Sequence, residues 1–271
     1  MKKQKPPVPA LQWSGCSDVG RVRQNNEDAF LGLRFTAEEV HRLGKYGRVP
    51  MGPYQFTFAV CDGMGGARAG EFASRIAVEK ITLLLPRARP DVPVTETLTH
   101  LTQEIHWALA YLGASYEECA GMQTTLSLGW FTPGRMHFSH VGDSRIYHLP
   151  ADGRPIQQLT EDDTHVGWLL RQGKISSWEA RNHPRRNVLQ KALGGDNRYV
   201  NPQTGSVPCA PGDRFLFGSD GLFEGLADER LAELLRLPPG EEEDSTARRL
   251  VKQAVENDGR DNTTALVVTV G

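Results

Sequence analysis

The alternation of apolar and polar positions divides the chain into segments of different period. "DAFLGLRF" (residues 28–35) and "FTFAV" (56–60) are apolar runs of strand length. Residues 36–55, between them, carry scattered Gly and Pro with weak periodicity, which predicts an irregular connection with at most one helical turn. Farther on the period lengthens. Ala69, Phe72, Ala73, Ile76, Ala77, Leu84 and Leu85 recur at helical spacing, and Pro86, with no N–H to continue the ladder, marks the end. Leu98, Leu101, Ile105, Ala108, Leu109 and Leu112 form the stripe of a second helix. The period then returns to two: "TTLSLGWF" and "MHFSHV" flank the turn "TPGR", and "RIYHL" and "PIQQL" flank "PADGR", two hairpin signals. Residues 161–200 are polar, with a helix expected around 166–172, and "RFLFGS" resumes strand character. In "DSTARRLVKQAVEND", Ala247, Leu250, Val251, Ala254 and Val255 face inward; Asp244 or Ser245 is placed to cap the start and Gly259 follows the end. "TTALVVTV" closes the chain as a strand.

Helices followed by hairpins, then a helix and a strand, point to an α+β fold rather than strict βαβ alternation. With no internal repeat and no interdomain linker, the 271 residues read as one domain over 11–271 behind a Lys- and Pro-rich tail, 1–10. That tail lacks the apolar core of a secretory signal, and no run of about 18 apolar residues predicts a spanning helix. Cys16, Cys61, Cys119 and Cys209 are scattered, without zinc-site or disulfide-framework spacing. A soluble, cytoplasmic monomer is the expectation. The net charge of -2, with acids and bases well mixed, argues against nucleic acid or an anionic membrane as partner.

The candidate chemistry begins with "FTFAVCDGMGG", where an apolar run ends on Asp62 and three glycines follow. A similar pattern recurs at "FLFGSDG" with Asp220, "GRDNT" supplies Asp261, and "NNEDAF" places Glu27 and Asp28 after Arg23. Several carboxylates gathered without a cation repel one another. Oxygen-only ligands suit Mg²⁺ or Mn²⁺ rather than zinc, and glycine lets a carbonyl approach the ion. Each Asp-Gly taken alone is also an ordinary turn, as "ADG" at 151–153 is, and spacing does not show that these acids meet.

"DVGRVRQNNEDAF", "CDGMGG", "MQTTL", "HVGDSRIY", "LTEDD", "HPRRNVLQKALGG", "GDRFLFGSDGL" and "GRDNTTALVV" follow one another in this order. The series resembles the metal-dependent protein phosphatases (PPM, the type 2C serine/threonine phosphatases) in their bacterial form, over nearly the whole chain. The resemblance implies an αββα sandwich of two central antiparallel β-sheets flanked by helices. It implies two Mn²⁺ or Mg²⁺ ions: Asp62 bridging both, the Gly63 carbonyl beside it, Glu27 acting on one through water with Asp28 beside it, and Asp220 and Asp261 on the other. Asn262 matches the amide next to Asp261, Asp143 and Ser144 a supporting turn, and Arg23 the arginine that grips phosphate. The implied reaction is hydrolysis of phosphoserine or phosphothreonine on proteins by direct attack of a metal-bridging hydroxide, with a serine/threonine protein kinase or its targets as implied partners.

Some positions depart from the family. Met64 stands where many eukaryotic members carry His, which leaves protonation of the leaving group to water. Bacterial members often add a third ion, held partly by an aspartate upstream of "MGTT"; "YEECAGMQTT" offers only Glu117 and Glu118, read as solvated surface, so the resemblance does not extend to a third ion. The connection at 36–55 is longer than usual. Other phosphatase chemistries fail on spacing: no Cys precedes an Arg by five intervening residues, and no D-x-D-x-T occurs. The alternatives that remain are an inactive relative serving as a binding or regulatory module, or carboxylates holding one structural Ca²⁺.

Overall fold

A computed structural model describes residues 10–65, 69–196 and 198–271. The chain begins with β1 (Ala10–Asp18), β2 (Asp28–Phe35), the short β3 (Val40–Arg42), β4 (Tyr46–Pro50) and β5 (Gln55–Met64). Helices α1 (Ala69–Leu84) and α2 (Val94–Ser115) follow, then β6 (Gln123–Thr124), β7 (Leu126–Thr132), β8 (Arg135–Val141), β9 (Arg145–Leu149) and β10 (Gln157–Gln158). Next come α3 (His165–Arg171), α4 (Ser177–Arg181), β11 (Leu193–Gly194), β12 (Gln203–Pro208) and β13 (Arg214–Gly218). The chain ends with α5 (Asp220–Gly225), α6 (Asp228–Arg236), α7 (Thr246–Asn257) and β14 (Thr263–Val270).

Two antiparallel sheets stack face to face. One runs β10-β9-β13-β14-β1-β4; the other runs β11-β6-β5-β7-β8-β12, with β2 on β5 and β3 on β2. The strand period of two sorts side chains between layers. Phe56, Phe58 and Val60 of β5 meet Phe215, Phe217, Leu266 and Val268 between the sheets, while the alternate residues Ala59 and Cys61 face the helices. There α1 and α2 pack, Ala69, Ala73, Ala77 and Ile81 forming the buried face of α1. On the opposite side Tyr147, Leu216 and Val267 lie under α5, α6 and α7. The arrangement is the expected αββα sandwich. Burial of these three layers, aromatic between the sheets and mainly aliphatic under the helices, at about 25 cal/mol per Å² of apolar surface, is what fixes the strands that carry the acids.

Several expectations are corrected. Residues 36–55 contain β3 and β4 in place of a helical turn; β3 extends the sheet through β2 and β4 extends the other through β1, so the connection bridges both sheets. Phe72 is 45% exposed, because the sheet meets α1 along its alanines, whose small size allows close approach. Ser245 occupies the N-cap of α7 without a side-chain cap bond. The predicted tail lies outside the described residues except for Ala10, which opens β1. No helix among the described residues is long and apolar enough to cross a membrane.

Candidate metal and phosphate site

The register of β2 against β5 places Asp28 opposite Asp62, so one antiparallel pair delivers two carboxylates to the same edge. The strand does not end at Asp62: β5 continues to Met64, with Gly63 and Met64 paired to Thr124 and Gln123 of β6. Threonines hold the Asp62 backbone on both sides. Its N–H donates to Thr125 Oγ1 at 2.9 Å, and its carbonyl accepts from the Thr124 hydroxyl and the Thr125 N–H, each at 2.9 Å. Ser144 shares a 2.6 Å hydroxyl bond with Thr125. Ser144 thus positions Asp62 through Thr125.

Asp220 opens α5 directly after β13, and Asp261 precedes β14, so the second sheet contributes its acids from the opposite side. Glu27 ends the loop after β1, which Asn262 ties down, and Asp28 follows it as the first residue of β2. The Asn262 amide donates to the Val19 and Asn25 carbonyls at 3.0 Å, and its oxygen accepts the Glu27 N–H at 2.7 Å. Asn262 is therefore a clasp for the loop. Asp28 Oδ2 accepts 2.7 Å bonds from the hydroxyls of Ser219, at the N-cap of α5, and Thr264, in β14. Arg23 lies half exposed at the rim and donates to Asp261 Oδ2 at 2.6 Å. Gly63 and Gly70 allow β5 and α1 to close around Glu27: a Cβ on Gly70 would lie 2.8 Å from the Glu27 Cδ.

The electrostatics show that these acids share one place. Burial, followed by repulsion from Asp28, Asp220, Asp143 and Asp261, pushes Asp62 well above the usual carboxylate range. Asp220 moves the same way, through burial and then Asp143, Asp261 and Glu224. Burial carries Asp28 up to about 6 and Asp143 up to about 7, Asp143 also facing Asp162 and Glu224. Asp143 sits in the turn between β8 and β9, locked by the paired bonds of Arg145 to Asp162 at 2.9 and 2.7 Å. Gly142 beside it has φ +112°, a left-handed conformation natural to glycine, and a Cβ there would strike Thr125.

Among the described residues, Asp28 Oδ1 and Asp220 Oδ1 are buried without a hydrogen-bond partner. A buried carboxylate oxygen left alone costs free energy that a cation removes. Oxygen donors, orphaned oxygens and mutual repulsion together fit hard divalent ions. No three acidic, His or Cys side chains among the described residues gather tightly enough to hold an ion by themselves. Mg²⁺-like ions tolerate this, since they retain several waters and take one or two carboxylates each. Glu117 and Glu118 are exposed on a short 3-10 turn, whereas Asp143 and Glu224 are the carboxylates that could share a further cation with Asp220.

Residues 53–253 match the sequence profile of the Protein phosphatase 2C family. The chain belongs to that family. It is 34% identical over 264 residues to the serine/threonine protein phosphatase PstP of Mycobacterium tuberculosis, covering 96% of this chain and 45% of that protein; it thus spans under half of that relative's length. It is 32% identical over 259 residues to the serine/threonine phosphatase stp of Listeria innocua, with 93% of each covered. A solved catalytic domain of PstP in complex with two manganese ions superposes with a TM-score of 0.78 at 31% identity, covering 97% of this chain and 99% of that one.

Within this protein phosphatase 2C fold, some contributors escape a reading of acids alone. Thr124, Thr125, Ser219 and Thr264 orient the carboxylates, and Glu224 adds a charge beside Asp220. Their signal was adjacency: Ser219 precedes Asp220, and Thr264 sits two residues past Asn262. Cys61 lies buried behind Asp62, its thiol pushed up by burial and by Asp28 and Asp62, which makes it a core residue.

Proposed function

We propose that this chain is a Mn²⁺- or Mg²⁺-dependent phosphatase acting on phosphoserine and phosphothreonine in proteins. The observation that carries the reading is the convergence of Asp28, Asp62, Asp143, Asp220 and Asp261, from both sheets, on a site with two orphaned carboxylate oxygens and an arginine at its rim. When bound, two such cations acidify a water for in-line attack and take up charge on the phosphoryl oxygens. Asp62 would be shared by both ions, with the Gly63 carbonyl beside it; Glu27 and Asp28 would serve one, and Asp220 and Asp261 the other. Arg23 offers phosphate oxygens a planar, permanently charged fork. Thr124 and Thr125 hold Asp62 fixed, so the site loses little order when substrate arrives.

An inactive binding module is disfavoured because every principal position carries an acid of the expected kind. The reading extends to residues 11–271 as one phosphatase domain, supported by the pairing of β1 with β14, which joins the two ends of the fold. It also includes a cytoplasmic monomer whose partners are a protein kinase or that kinase's targets. The test is phosphate release from phosphoserine and phosphothreonine peptides and from p-nitrophenyl phosphate with Mn²⁺, Mg²⁺ or chelator. Turnover that requires the ion is expected; none with either ion would overturn the assignment.

A further inference from the structure

A cleft of about 580 Å³ lies between β2, residues 42–45 of the connection and α1, with Asn26 and Asp28 in its lining. Strands β3 and β4 pair with β2 and β1, which carries residues 42–45 between them along the side of the cleft facing α1. Arg42 fixes the far wall, donating to Glu79 of α1 at 3.0 Å and to the Thr82 hydroxyl at 3.1 Å. Two further cations line the opening. Arg75 is exposed and holds Glu71, one turn away on its own helix, at 3.3 Å, a weak surface pair. Lys45 is exposed and forms no ion pair among the described residues. The only acids lining this cleft among the described residues are Glu79, engaged by Arg42, and Asp28, whose Oδ2 is held by Ser219 and Thr264.

We propose that this cleft docks an acidic stretch of the substrate protein beside the phosphorylated residue, with Lys45 and Arg75 as specificity-determining residues. The inference rests on the phosphatase reading above and adds a substrate class to it. Asp28 belongs both to the lining of this cleft and to the carboxylate cluster, which makes the two neighbours and lets a peptide bound at the cluster extend a flanking segment toward the cleft. Carboxylates entering there meet Lys45, which has no ion-pair partner among the described residues, and Arg75, whose weak surface pair with Glu71 exchanges readily, while Leu43 and Val78 offer apolar contact to the stems between them.

The test uses three fluorescein-labelled phosphothreonine peptides: one with three Asp before the phosphoresidue, one with three after, and one with Asn at all those positions. For the wild-type chain with Mn²⁺, one acidic peptide is expected to show a KM about tenfold below the Asn peptide, the effect of two partly screened charge pairs. Lys45→Ala/Arg75→Ala should abolish that gap while kcat and p-nitrophenyl phosphate hydrolysis stay unchanged. Lys45→Arg/Arg75→Lys should restore it, and high ionic strength should shrink it. Equal KM values for all three peptides, or a gap that survives the double alanine variant, would overturn the proposal. Fluorescence anisotropy gives the same comparison without turnover. Charge-dependent binding with no hydrolysis would sustain the docking cleft and sink the phosphatase reading; hydrolysis with charge-blind binding would do the reverse.

Discussion

Replacing Asp28 with Asn should stabilise the metal-free protein and weaken its response to metal. In the folded chain Asp28 titrates near 6, raised from 3.8 first by burial, with hydroxyl bonds from Ser219 and Thr264 offsetting part of the cost. A group whose folded value lies above its unfolded one destabilises the fold wherever it is ionised. The penalty is therefore full above about pH 6 and fades as pH falls toward 4. The difference corresponds to about 3 kcal/mol at neutral pH. Asn keeps an oxygen for both hydroxyls and replaces the orphaned Oδ1 with an amide that neighbouring carboxylates can accept from. The chain should then melt roughly 6 °C higher in EDTA at neutral pH. The gap between variant and wild type should close on acidification toward pH 4. Added Mn²⁺ should reverse the order, because an ion that binds only the folded state stabilises it in proportion to its affinity, and the variant has lost a donor. Differential scanning fluorimetry across pH, with EDTA or Mn²⁺, reads all of this. A variant that melts below wild type in EDTA at neutral pH, or an equal Mn²⁺ gain in both, would refute the reasoning.

Three further outcomes are expected. Asp62→Ala should reduce Mn²⁺-dependent p-nitrophenyl phosphate hydrolysis to background while circular dichroism stays native. Arg23→Lys should raise KM for phosphoesters roughly fivefold with little change in kcat, since an ammonium cannot reproduce the two-pronged contact; steady-state kinetics measures the split. Thr125→Ala strips the Asp62 N–H of its acceptor and Ser144 of its partner, so urea unfolding should show a loss of about 2 kcal/mol.

Those residues also mark where sequence and structure part. Residues 28–35 and 124–141 were read directly as strands, because their apolar residues fall where the sandwich buries them, between the sheets on one face and under the helices on the other. The inward stripe of α7 was legible for the same reason. The 36–55 connection was not, since β3 and β4 are edge strands held by backbone bonds to β2 and β1, and exposed edges leave little apolar periodicity. Strand β12 escaped too, its side chains being half-buried or exposed beside β8. At the site, the acids could be named individually, but their meeting depends on the Asp28–Asp62 register and on β14 lying next to β13, which are long-range pairings. The orienting hydroxyls of Thr125, Ser219 and Thr264 act through geometry that residue type alone does not encode.

Asp62 is the carboxylate that two divalent ions would share. Crystals grown with Mn²⁺ and measured at the manganese absorption edge locate such ions directly. Two anomalous peaks, both within coordination distance of the Asp62 carboxylate and flanked by Asp220 and Asp261, are predicted. Manganese bound only elsewhere, or absent from this cluster at saturating concentration, would contradict that role.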